Sequence, residues 1–153
     1  MKKMIKKYRK AKGFTLVELL IVIIIIGILA GMMMLSTGSA TDKAEATKIV
    51  SDLRNIKSAA LMYYADKGYW PGTSPDASVT IDLIKDYLDQ DPVDGYKLEG
   101  TAGEALYSTY TGTKLTAGVI DKLYDMRADA GLKQGATSAD YNKGTIVGMI
   151  VRK

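Results

Sequence analysis

The chain has 153 residues, 47% of them apolar and 25% charged, with no cysteine and no histidine. That composition excludes disulfides, thiolate metal sites, a lipid-modified cysteine, a cysteine nucleophile and any Ser-His-Asp triad, and it removes the commonest general base and zinc ligand. The formal net charge of +4 is no sign of nucleic-acid binding, because seven of the 21 basic residues lie in the first thirteen positions and the rest of the chain carries 14 basic against 17 acidic residues.

Residues 1–13 form a short basic leader containing Lys2, Lys3, Lys6, Lys7, Arg9, Lys10 and Lys12. Residues 14–35 are apolar apart from Thr15, Glu18, Gly27 and Gly31. A helix of about 20 apolar residues crosses a bilayer. Its basic flank stays cytoplasmic and the chain beyond it faces outward. Glu18 is the anomaly, since a charge in a membrane helix costs about 2.5–3.5 kcal/mol at the centre and less near the edge. The residues alone leave three readings. One is a secretory signal cut after the run, near Gly38-Ser39-Ala40. Another is a plain membrane anchor. The third is a cut before the run, between Gly13 and Phe14, which leaves the hydrophobic helix on the mature protein. An acid in a first helical turn also has an ordinary explanation, because the helix macrodipole favours it by about 0.3–1 kcal/mol.

The stretch Lys12-Gly13-Phe14-Thr15-Leu16-Val17-Glu18-Leu19-Leu20, behind its basic leader, resembles the class III signal of type IV pilins and pseudopilins. The resemblance implies that a prepilin peptidase cuts after Gly13 and methylates Phe14 as the new N-terminus. It assigns Glu18 to assembly, paired with the N-terminal amine of a neighbouring subunit. An unpaired buried charge costs several kcal/mol, which pairing offsets, and such a pair would fix the axial stagger of otherwise greasy helices. The implied partners are further copies of the chain in a helical filament, the peptidase and methylase, an inner-membrane assembly platform and membrane lipid. No cofactor and no metal is implied, and the mature chain has no charge that calls for nucleic acid. The implied location is the inner (cytoplasmic) membrane, crossed once with the C-terminal domain outward, and then a cell-surface pilus.

Gly27 and Gly31 lie four apart, a spacing that permits close helix packing in a membrane. Relatives often carry a proline about eight residues after the first glycine. Here that position is Leu35, and Ser36-Thr37-Gly38-Ser39 offers a different weak point. Met32, Met33 and Met34 read as flexible packing rather than metal ligands.

From Thr41 onward charges interleave with alanines, and Ile49, Leu53, Ile56, Ala60 and Tyr63/Tyr64 recur at steps of three and four. No proline interrupts residues 14–70, so one helix is predicted from Phe14 to about Lys67. Gly68 is its natural stop, and Tyr69-Trp70-Pro71-Gly72 reads as a turn with aromatic packing.

Residues 80–88 read as a short helix. Asp82, Asp86, Asp89, Asp91 and Asp94 cluster around Pro92 without EF-hand spacing; they read as a solvated acidic loop, with a calcium site as the alternative. Residues 96–99 and 106–111 have strand composition, 117–131 read as a second short helix, 135–144 as loop and 145–151 as a final buried strand. The family's disulfide-closed C-terminal loop is ruled out by the lack of cysteine, leaving the final strand as the fastening. The ten tyrosines fit sheet and interface packing.

The predicted fold is α+β, type IV pilin-like, with a long N-terminal helix packed on a small antiparallel sheet. Three segments are predicted: a cleaved leader at 1–13, a hydrophobic transmembrane and filament-core half-helix at 14–38, and a globular domain at 39–153 that includes the amphipathic half-helix 39–67. The predicted function is structural, not enzymatic: a type IV pilus-like filament subunit serving adhesion, motility or DNA uptake. The alternative is a major pseudopilin of a type II secretion or competence system.

Overall fold

A computed structural model of the chain describes residues 13–72, 79–90, 94–100 and 104–153. The basic leader up to Lys12, and Asp91 and Pro92 of the acidic stretch, lie outside the described residues. The chain divides after Gly38 into two compact units. Helix α1, Leu16–Lys67, contributes to both.

In the first unit residues 13–15 are non-helical and α1 begins at Leu16. The sequence pattern places the start at Phe14; a side-chain cap at Thr15, described below, sets it two residues later. From Leu16 to Met34 the side chains are apolar on all sides except at Glu18, and all are exposed. The helix is long and apolar enough to cross a membrane.

In the second unit the rest of α1 lies on a four-stranded antiparallel sheet. The strands are β1 (Tyr96–Gly100), β2 (Leu106–Tyr110), β3 (Leu132–Gln134) and β4 (Val147–Arg152), in the order β1-β2-β4-β3. Tyr96 pairs with Tyr110 across β1 and β2, Tyr110 with Val147 across β2 and β4, and Leu132 with Met149 across β3 and β4. The last strand thus sits inside the sheet rather than at its edge, which makes it the fastening on both sides.

The helical stripe read from the sequence is the buried one. Ala46, Ile49, Val50 and Leu53 join Tyr110, Val119, Leu123, Leu132, Tyr141, Val147 and Met149 in one core cluster. One to four turns further on, Ile56, Ala59, Ala60 and Tyr63 join Ile84, Leu98, Leu106 and Val151 in another. Each large aliphatic side chain buried there contributes about 1.5–3 kcal/mol. Tyr64 departs from the stripe: it is 42% exposed and stacks on Trp70, ring centroids 4.6 Å apart. A buried hydroxyl ties helix to sheet, because Ser108 Oγ donates to the Leu53 carbonyl of α1 at 3.2 Å. Without that partner a polar group there would carry a desolvation cost.

Local chemistry sets the ends of these elements. Gly68 adopts φ +79 and its N–H donates to the Tyr64 carbonyl at 2.8 Å, closing α1 in a left-handed stop. Residues 81–87 form a helix, as the apolar spacing predicts, but of the tighter 3-10 type. Helix α2, Ala117–Ala130, is capped by Thr116, whose hydroxyl accepts from Val119 N at 3.4 Å, and ends at Gly131 in the left-handed region. That glycine turns the chain straight into β3, a three-residue strand without its own sequence signal. The final strand starts at Val147, two residues later than its composition indicates.

Candidate functional site

Among the described residues of the first unit, the chemically singular place is the entry to α1. Thr15 is its N-cap and Glu18 stands three residues on, so their side chains can answer each other across the first turn. The Thr15 backbone N–H donates to Glu18 Oε2 at 2.8 Å, and the Thr15 hydroxyl donates to the same oxygen at 2.9 Å. The Glu18 backbone N–H donates back to Thr15 Oγ1 at 3.2 Å. This is a capping box: two amide groups that the helix itself leaves without partners are satisfied reciprocally. The carboxylate is thereby folded back toward Thr15 and away from the apolar run above it.

Just before the cap stand Gly13 and Phe14. A Cβ on Gly13 would meet nothing within 4 Å, and Phe14 is 86% exposed. The peptide bond between them lies outside the helix, in backbone that no element of the described chain covers. Gly27 and Gly31 sit further along α1, and a Cβ on either would meet nothing within 4 Å. Their four-residue spacing keeps them on one face, an open strip beside Ile23, Ile24 and Ile28, each more than half exposed.

Thr15 is the residue that periodicity and charge leave out. Its signal is present in the sequence as Thr-x-x-Glu ahead of an apolar run, but the carboxylate draws attention first because it is the charge.

Among its described residues the second unit holds no comparable concentration of chemistry. Trp70 packs between Tyr64 and the guanidinium of Arg152, which stands 5.8 Å from its ring centre. Tyr63 meets Tyr69 and Tyr87 edge to face. Among the described residues no three carboxylates converge as a metal site, and Asp82 is paired with Lys85 at 2.7 Å. A groove of about 420 Å³ runs beside Asp52, Asn55 and Met62 of α1, with Tyr87, Gln90 and Tyr96 opposite. A polar contact in its lining is structural: the Tyr96 hydroxyl donates to Asp52 Oδ2 at 2.8 Å. Burial, then that bond, pushes the Tyr96 phenol far above its ordinary value.

Comparison with known proteins bears on the same two regions. Residues 8–34 match the family of the prokaryotic N-terminal methylation motif, and residues 40–109 match the PilW C-terminal family. The fimbrial protein EcpC of Eikenella corrodens is 31% identical over 119 residues, which cover 78% of this chain and 75% of that protein. Type II secretion system core protein G of Pectobacterium carotovorum subsp. carotovorum is 36% identical over 91 residues, covering 58% of this chain and 58% of that protein. The latter match thus takes in little more than half of the relative's length. Among solved structures, the major type IV pilin PilA1 from Clostridium difficile superposes with a TM-score of 0.53 at 22% identity, covering 75% of this chain and 99% of that one. At that identity the likeness speaks for the fold alone.

Proposed function

The chain belongs to the type IV pilin and pseudopilin family, and from that premise we propose that it is a structural subunit of a type IV pilus-like filament. It is stored in the membrane and polymerised through its N-terminal helix. The observation that carries this reading is α1 between Leu16 and Met34, apolar on all sides, exposed throughout, and interrupted by a single carboxylate fixed in its first turn. Such a surface needs lipid before assembly and other helices after it. No catalytic residue enters the proposal; the subunit works by its shape and by its contacts.

The segment roles follow. Residues 1–13 are the leader, kept cytoplasmic by their basic charge, with the C-terminal domain outward of the inner membrane. The prepilin peptidase cuts between Gly13 and Phe14, where the chain is non-helical and open, and Phe14 is then N-methylated. Residues 14–38 become the filament core, and 39–153 the globular domain. In the core the new amine on Phe14 of one subunit meets Glu18 of its neighbour, each removing the other's desolvation cost. Gly27 and Gly31 let neighbouring backbones approach. The assembly platform of the inner membrane is the machine that would extract the subunit.

A second reading, a major pseudopilin in a secretion or competence system, is favoured by the match to type II secretion system core protein G across 58% of the chain. Long surface filaments in the native cell support the first reading. A secretion or transformation defect on deletion, with no such filaments, supports the second. Both predict the same behaviour for Glu18→Leu: subunits that are processed but accumulate in the membrane unassembled. Abundant normal filaments from that variant would sink the pairing scheme.

A further inference from the structure

From the geometry at the entry to α1 we infer that Thr15 is a positioning residue for assembly: it holds Glu18 ready, with one oxygen engaged and the other presented to the neighbouring subunit's amine. The inference rests on the pairing role proposed above for Glu18 and adds a residue that role does not require. A glutamate on an exposed helix normally samples many rotamers, and ordering it on binding carries an entropic cost. Here the ordering is already done within the chain. Glu18 Oε2 accepts from both the backbone and the hydroxyl of Thr15, at 2.8 and 2.9 Å. The Glu18 N–H in turn donates to the Thr15 hydroxyl at 3.2 Å, so the side chain that orders the carboxylate is itself held.

The second oxygen, Oε1, accepts no hydrogen bond from the described part of the first unit. It is the site left for an ammonium donor, which needs one strong acceptor rather than a fork. The capping box also directs the carboxylate toward the N-terminal end of α1, the end at which a neighbour's freshly cut amine would lie. A helix start capped by water would give the same secondary structure without that direction. The hydroxyl therefore has a second use beyond ending the helix: it reduces the freedom that the intersubunit pair would otherwise have to remove.

The test compares Thr15→Val, Thr15→Ser and Glu18→Leu in the full-length protein expressed in its native cells. Valine keeps the branched shape and removes the hydroxyl, while serine keeps the hydroxyl. Sheared filaments are quantified per processed subunit, with processing read by mass spectrometry of the peptide that begins at Phe14. A change in cleavage therefore cannot pass for a change in assembly. The expected result is that Thr15→Val lowers filament yield about fivefold, the effect of losing a side-chain cap, and that Thr15→Ser restores it. Wild-type yield from Thr15→Val, with none from Glu18→Leu, would overturn the inference and leave the pairing intact. Equal loss in Thr15→Val and Thr15→Ser would also overturn it, since the cap would then not be the cause. Normal filaments from Glu18→Leu would remove the pairing itself.

Discussion

The space that a side chain at Gly118 would take is held by the flexible end of the Asp42 side chain of α1. A Cβ there would stand 1.9 Å from Asp42 Oδ2, so the carboxylate is seated against the first turn of α2. A negative charge at that end of a helix is favourable by about 0.3–1 kcal/mol. Gly118→Ala should turn that carboxylate aside at little steric cost, so the lost charge–helix interaction and the better helix propensity of alanine should cancel to within about 0.5 kcal/mol. In an Asp42→Ala background the same change should become stabilising by about 0.5 kcal/mol. Urea unfolding of the four variants in detergent forms the double-mutant cycle that reads this difference. Tyr96 gives a residue-scale test in pH. Its phenol titrates higher in the folded chain than in the unfolded one, through burial and its bond to Asp52. The associated stability is complete below the unfolded value of about 10 and is lost as pH rises past it. Thermal unfolding should therefore weaken above about pH 10, and Tyr96→Phe should make that decline shallower. At this scale the sequence discloses charges better than hydroxyls. Glu18 is conspicuous because an acid in an apolar run is costly. Thr15 is not, because its value depends on hydrogen bonds with a residue three positions away.

Among the elements, α1 and its buried stripe are legible in advance because steps of three and four persist from Ala46 to Tyr63 and no proline intervenes. The departure at Tyr64 is a tertiary effect: its neighbour Trp70 lies beyond the turn and offers a ring to stack on. Strand β3 is illegible for the opposite reason. Three residues with one apolar side chain, Leu132, show no period. What makes it a strand is docking on β4, and Gly148 makes the docking close. A Cβ at Gly148 would lie 2.3 Å from the Gly135 carbonyl oxygen, with backbone on both sides and nothing able to yield. Gly148→Val should cost about 3 kcal/mol and release β3, detectable as faster amide exchange at Leu132–Gln134 with smaller change in β1. Unchanged exchange there would mean that β3 is held by α2 rather than by β4. The 3-10 form of residues 81–87 is likewise set by context, since their apolar spacing predicts a helix without specifying its pitch.

For the molecule as a whole, the two units answer to different surroundings. The second has a core of its own, closed by α1 below and β4 within the sheet. The described part of the first has none, and its apolar surface from Leu16 to Met34 is exposed, a surface that in the proposed scheme lipid and then other copies cover. The composition changes in the same part of the chain, where the amphipathic pattern begins only after Thr41. What composition cannot convey is that the helix start is organised before any neighbour arrives. In the proposed scheme processing, storage and assembly all turn on residues 13–18, so the most direct measurement is mass spectrometry of filaments sheared from the cell surface. The account predicts an N-terminal peptide that begins at Phe14 and carries one added methyl group. A mature N-terminus near Thr41, or filaments whose subunits keep the residues before Phe14, would contradict it.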